Sequence, residues 1–310
     1  MVMKPPMLRK GDTIGVVTLG SPLEKEVIDT HINTLKSMGF NVIVGEHVYA
    51  YDGFLAGSPK DRAANLMSMF RNPQVKLILP TRGGVGVGGI LPYLDYNVIK
   101  QNPKILTGYS DITILLNVLY QVSDLLTFHS LMLEDFAPDT PPYNINQFYE
   151  MTSTFLPVRQ IKNPPEMPLT MKVPGIVSGR IVGGNLTSFV GSLGTPVEID
   201  TKGKILVLED THEPINTMYR YLEHLRLAGK FNDCAGIIMG ECTECPEAYG
   251  KTYEDLINDF LVPLGKPLMT NLATGHGTYK AAIPIGALAL MDTINRTLTV
   301  TEPTVSPRIT

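Results

Sequence analysis

The sequence has no tryptophan, only three cysteines and a formal net charge of -4 over its 310 residues. No lysine or arginine run stands out, so the electrostatic footprint of a nucleic-acid binder is missing. No apolar stretch reaches the roughly 18 residues of a membrane span, so no membrane association is expected. Lys4, Arg9 and Lys10 could pass for the basic start of a secretory signal. The apolar run behind them, Thr13 to Leu19, is short, and no A-x-A-like cleavage site follows, so a cytoplasmic location is expected. An odd number of cysteines, Cys234, Cys242 and Cys245, does not read as a disulfide framework. The C-x-x-C pair at Cys242 and Cys245 has no second pair to complete a zinc site. These cysteines read as structural or incidental.

What is present is ample core material, with 44% hydrophobic and 18% charged residues. At roughly 100–200 residues per domain, the length suggests two domains. Thr13–Thr18 reads as a buried strand. Ile28, Ile32 and Leu35 then mark one helix face, and Val42–Val44 is the next strand. Ser58-Pro59 opens a second helix with Ala63, Leu66, Met67 and Phe70 on one face. Val75–Leu79 and Lys104–Gly108 are strands, and Ile112, Leu115, Leu116 and Leu119 mark a further helix. Alternation of this kind predicts a mostly parallel, Rossmann-like sheet covered on both faces. Prolines crowd the stretch from Ala137 to Gly175. Strand-like runs resume at Gly179–Val182, Ile205–Leu208, Gly236–Met239 and Ala287–Met291, with a helix over about Ile215–Leu227. The expectation is an α/β domain over 1–140, a proline-rich boundary over 141–174 and a second, smaller α/β domain over 175–310.

Four segments carry candidate chemistry. In Gly108-Tyr109-Ser110-Asp111, a serine lies between a strand and a helix. Its hydroxyl is then exposed beside backbone amides that can stabilise an oxyanion, as in a nucleophile elbow. Equally, Ser110 or Asp111 could simply cap the helix. The loop Arg82-Gly83-Gly84-Val85-Gly86-Val87-Gly88-Gly89 satisfies G-x-G-x-x-G at Gly84, Gly86 and Gly89, and Asp111 lies near the spacing of a ribose-binding acid. A nucleotide-dependent oxidoreductase is therefore a rival. Against it, the loop follows a later strand, and Pro92 interrupts the helix that should begin there. Glu209 and Asp210 end an apolar strand, where α/β folds place functional groups, and position alone does not separate them. His276 is flanked by Gly275 and Gly277. His129 and His212 are further imidazoles that could lie near chemistry. A hydroxyl, a carboxylate, an imidazole and an amide-rich loop are together the parts of an acyl-transfer site.

In order, Lys10-Gly11-Asp12, Arg82–Gly86, Pro103–Thr113, Gly183-Gly184-Asn185-Leu186, Leu208-Glu209-Asp210 and Gly275-His276 resemble the LD-carboxypeptidases. That serine peptidase family also contains the microcin C self-immunity peptidases. The resemblance implies a catalytic triad of Ser110, Glu209 and His276, with oxyanion amides from Gly84 and Asp111. It implies substrate contacts from Arg82, Gly83 and Asn185, no metal or organic cofactor, and a homodimer with the site between domains. The implied activity is release of terminal D-alanine from a murein tetrapeptide in cell-wall recycling. The immunity branch instead cleaves a peptidyl-nucleotide. Its members tend to stack the base on tryptophan, and this chain has none. Val85 stands where the family often has an aromatic residue, and Ser130-Leu131 where it often has Gly-Pro. Both departures bear on substrate fit and leave the triad positions intact.

Overall fold

The computed structural model describes residues 2–308. The first half runs β1 (Thr13–Val17), α1 (Lys25–Ser37), β2 (Asn41–Val44), α2 (Pro59–Arg71), β3 (Val75–Pro80), α3 (Tyr96–Gln101), β4 (Ile105–Gly108), α4 (Ile112–Ser123) and β5 (Thr127–His129). All the pairings among these strands are parallel, which crossover connections between successive strands allow. Ser58 caps α2 by accepting from Asp61 N–H, with Pro59 in the first turn.

The proline-rich stretch holds more order than a linker: α5 (Pro142–Thr152), β6 (Arg159–Ile161) and β7 (Thr170–Val173). Then follow β8 (Ile176–Asn185), α6 (Leu186–Val190), β9 (Ile205–Thr211), α7 (Ile215–Leu227), β10 (Gly236–Thr243), β11 (Leu268–Leu272), β12 (Ile283–Ile285), β13 (Leu288–Asp292) and β14 (Thr297–Val300). The second sheet has eight strands in the order β6-β14-β13-β8-β9-β10-β11-β7. It is therefore wider than the first sheet, which has six. Its centre, β8 to β11, is parallel, and its flanks are antiparallel. The strands from the proline-rich stretch, β6 and β7, are its two edges. β12 leaves this sheet and pairs antiparallel with β5, forming an edge of the first. Among the described residues no helix is long and apolar enough to cross a membrane.

The second sheet is buried on both faces. Along β9, Ile205 and Val207 join the core shared with the first sheet, whereas Leu206 and Leu208 join a separate core under α6 and α7. Side chains alternate along a strand. The next two residues, Glu209 and Asp210, therefore face opposite ways. α4 is buried almost all round. Its Asn117 donates to Gly183 O at 2.8 Å and accepts from Gly183 N–H at 2.9 Å, and Asn185 N–H donates to Thr113 Oγ1 at 2.9 Å. The helix that follows Ser110 is thus hydrogen-bonded to the strand lying beside β9.

The cysteines form no disulfide framework among the described residues, but one local bridge is present. Cys242 and Cys245 are joined, while Cys234 is a buried free thiol. A bridge of sequence separation 3 closes only a local loop, so it does not need a framework of further pairs.

Candidate active site

Ser110 sits between the end of β4 and the start of α4 with φ at 58°. A non-glycine residue in the left-handed region is uncommon, and functional sites are where such strain collects. The turn directs Ser110 toward the glycine loop. A Cβ added to Gly83 would lie 2.7 Å from Ser110 Cβ and 3.1 Å from Asp111 N, so only glycine permits this approach.

The loop is fixed from several sides. Ser21 N–H donates to Gly83 O at 3.0 Å, Val85 N–H donates to Ser21 Oγ at 3.1 Å, and buried Arg62 donates to Gly86 O at 2.8 Å. Asp111 ties it to α4. Its Oδ2 accepts from Val87 N–H at 2.7 Å and its Oδ1 from Ser188 Oγ at 3.1 Å. Burial raises the Asp111 carboxyl above its ordinary value, against the pull of those hydrogen bonds and of Arg62. Asp111 occupies the N-cap of α4 but makes no side-chain cap bond. Because Gly83 O is turned to Ser21, the Gly84 N–H on the same trans peptide points away from Ser21.

The dinucleotide alternative fails on this geometry. The glycine loop continues into a short 3-10 segment, Val87–Tyr93, that contains Pro92, and not into an α-helix whose N-terminus could hold a pyrophosphate. Space beside Gly84 is taken by Ser21, and beside Gly86 by Leu55. Asp111 is engaged in holding the loop, not free for a ribose.

Glu209 lies near the C-terminal end of β9, on the face turned to the first domain, and is wholly buried. Its Oε2 lies 2.9 Å from His276 Nδ1. A carboxylate there fixes the imidazole with its proton on Nδ1 and leaves Nε2 as the basic nitrogen. Burial alone would lower the His276 pKa. The Glu209 hydrogen bond and charge, with a further contribution from Asp210, outweigh it, and the imidazole is raised above 6.5. Tyr109 meets the His276 ring edge-on at 5.0 Å between centroids. Ser110 and His276 are not hydrogen-bonded to each other in this structure. Such bonds in unliganded sites are often long and tighten only on substrate binding.

Asp210 faces the other way. It accepts from Asn185 Nδ2 at 3.0 Å, from Thr187 N–H at 3.0 Å and from Thr187 Oγ1 at 2.9 Å. Asn185 also caps α6 by accepting from Ser188 N–H at 3.0 Å. Both ends of its carboxamide are therefore engaged within the protein. In this structure Asn185 holds Asp210 and caps α6 at the end of β8.

His129 is buried beside Tyr109, with ring centroids 6.4 Å apart, and neither ring nitrogen has a protein partner. Burial pushes its pKa down to about 3, assisted by the nearby His276. His212 is exposed and pairs with Glu244 at 3.2 Å, away from the site. Four residues around His276 were not singled out in the sequence. Lys280 Nζ donates to Gly277 O at 2.8 Å and lies 3.6 Å from Asp135. Tyr109 OH donates to Asp135 Oδ1 at 3.2 Å. Glu134 is pushed up to about 7 by burial and by Asp135. Lys280 and Tyr109 lie close in sequence to His276 and Ser110, which was the available signal; Glu134 and Asp135 carry none.

Residues 14–130 match the LD-carboxypeptidase N-terminal domain and residues 178–291 the LD-carboxypeptidase C-terminal domain. The chain is 37% identical to the probable murein peptide carboxypeptidase of Bacillus subtilis, over 95% of this chain and 93% of that protein. Among solved structures it matches the microcin C7 self immunity protein MccF with a TM-score of 0.91 at 25% identity, covering 98% of this chain and 100% of that one. It also matches the muramoyltetrapeptide carboxypeptidase of Oxalobacter formigenes with a TM-score of 0.82 at 25% identity, covering 92% and 98%.

Proposed function

The chain belongs to the LD-carboxypeptidase family, and from that premise we propose that it releases the terminal D-alanine of murein tetrapeptides through an acyl-enzyme on Ser110. The observation that carries the reading is the Glu209–His276 hydrogen bond of 2.9 Å, in a site shared with a positive-φ serine at a helix start. In this mechanism His276 Nε2 takes the Ser110 proton as Oγ attacks the carbonyl of the L,D bond. The N–H groups of Asp111 and Gly84 receive the oxyanion. Protonated His276, stabilised by Glu209, then donates to the departing amine, and water repeats the sequence to free the peptide. Gly83 gives the substrate its close approach, and Arg82 is a substrate contact.

Ser110→Ala should abolish D-alanine release and leave the melting temperature unchanged. Ordinary turnover by that variant defeats the proposal. A peptidyl-nucleotide, the substrate class of the immunity branch, is the competing substrate for the same assay. The 37% identity to a probable murein peptide carboxypeptidase and the lack of tryptophan favour the murein substrate. We further infer a cytoplasmic homodimer. Light scattering reads the assembly. Cell fractionation reads the location.

A further inference from the structure

Arg82, at the edge of the site, is a cation without a counter-ion among the described residues. Its Nε is fully buried and has no hydrogen-bond partner. Lys280, the neighbouring cation, is already engaged by Gly277 O, by Asp135 and by the Tyr109 ring, 5.2 Å from its ammonium. Arg82 directly precedes Gly83, whose backbone touches Ser110. It directly follows Thr81, whose carbonyl accepts from Glu134 N–H at 3.2 Å. Arg82 is thus tethered between the nucleophile and Glu134. The Glu134 carboxyl feels the charges of Arg82, Lys280 and His276 together. It forms no ion pair with Arg82.

A buried donor left without a partner is unfavourable, and an arginine is suited to close a two-pronged contact with a carboxylate. A carboxypeptidase substrate carries such a group in a fixed place. Its terminal carboxylate is attached to the same Cα as the scissile nitrogen, one residue's backbone beyond the carbonyl that Ser110 attacks. We propose that Arg82 binds this terminal carboxylate and so confines cleavage to the last residue of the peptide. The assignment rests on Ser110 being the nucleophile. It gives the guanidinium a task distinct from that of the oxyanion amides.

The test compares a tetrapeptide ending in free D-alanine with the same peptide ending in D-alanine amide. Wild-type protein should prefer the acid by about a hundredfold in kcat/KM, as expected where one partner of a desolvated charge pair is removed. Arg82→Gln should lose about the same factor on the acid, mainly through KM, and change little on the amide. Arg82→Lys should restore part of the preference. Because the Arg82 side chain makes no hydrogen bond among the described residues, the variants should melt with the wild type. A wild type indifferent to the terminal group, or equal losses on acid and amide, overturns the assignment. Binding of both peptides to Ser110→Ala protein, with and without Arg82→Gln, separates the two proposals. If the peptides bind but wild type cleaves neither, the peptidase reading fails and the acid–amide difference in affinity still decides Arg82. If neither binds, both fail.

Discussion

Glu209 and Asp210 are adjacent in the chain and lie on opposite faces of β9, the first bonded to His276 and the second to Asn185 and Thr187. Strand alternation alone produces this division. Substituting each in turn should separate catalysis from stability. Glu209→Gln removes the charge that holds the imidazole and should lower kcat by roughly 10³–10⁴, the scale for losing the orienting acid of a triad. Asp210→Asn should retain much more activity and cost about 1–3 kcal/mol of stability through its disturbed buried hydrogen bonds. Steady-state kinetics and urea titration of the two proteins check this.

The pH profile follows from the same contact. Catalysis needs neutral His276, so kcat/KM rises with pH through the pKa of the imidazole. Glu209 and Asp210 raise that pKa above 6.5 against burial, so the acid limb should lie above 6.5 in the wild type. In Glu209→Gln, burial is no longer opposed by the Glu209 charge, and the limb should move to lower pH. A limb that stays in place on substitution would show that another group controls it.

Asn117 should matter for folding as much as any apolar residue of α4. Its carboxamide meets both the carbonyl and the N–H of Gly183, as a neighbouring strand would. Asn117→Leu removes both bonds and leaves two buried backbone groups unpaired, at about 2–5 kcal/mol in total. A fall of the urea midpoint at unchanged slope is the expected observation.

These residues also mark what the sequence can and cannot disclose. The helix at Ile215–Leu227 and the central strands of both sheets are visible because their apolar periodicity is strong. β12 is hidden because Pro284 sits in its middle, which suits an edge strand and breaks the usual signal. Ser110 was legible as a turn residue, but its positive φ depends on Gly83 making room. Whether Glu209 or Asp210 meets His276 depends on which face of β9 looks to the first domain, and that is a property of the packed sheets. Asn185 is legible as a cap three residues before Ser188, but its second partner, Asp210, is brought to it by the pairing of β8 with β9.

His129 should give the protein a built-in sensitivity to acid. The folded imidazole has its pKa lowered from 6.5 to about 3 by burial. Between those limits the unfolded chain binds a proton that the folded protein does not. Stability is therefore full above 6.5 and falls as pH drops, by about 1.4 kcal/mol per pH unit from this one group. His129→Asn should flatten the dependence of the urea midpoint on pH over that range. The imidazole resonances of His129 should show no titration at pH 5.

Gly275 tests how tightly the imidazole is placed. Its φ is 88°, and a Cβ there would run into the Glu209 carboxylate. Gly194 has a φ of 74° with open space around it. Gly194→Ala therefore reports backbone strain alone, about 1 kcal/mol, with kcat unchanged. Gly275→Ala adds to the same strain a displacement of Glu209 from His276 Nδ1. A catalytic base must be held closely to its productive position, so kcat should fall by about a hundredfold or more in this variant. The comparison fails if the two alanine variants lose stability equally and both keep their activity, because the Gly275 turn would then be fixing the chain without fixing the imidazole.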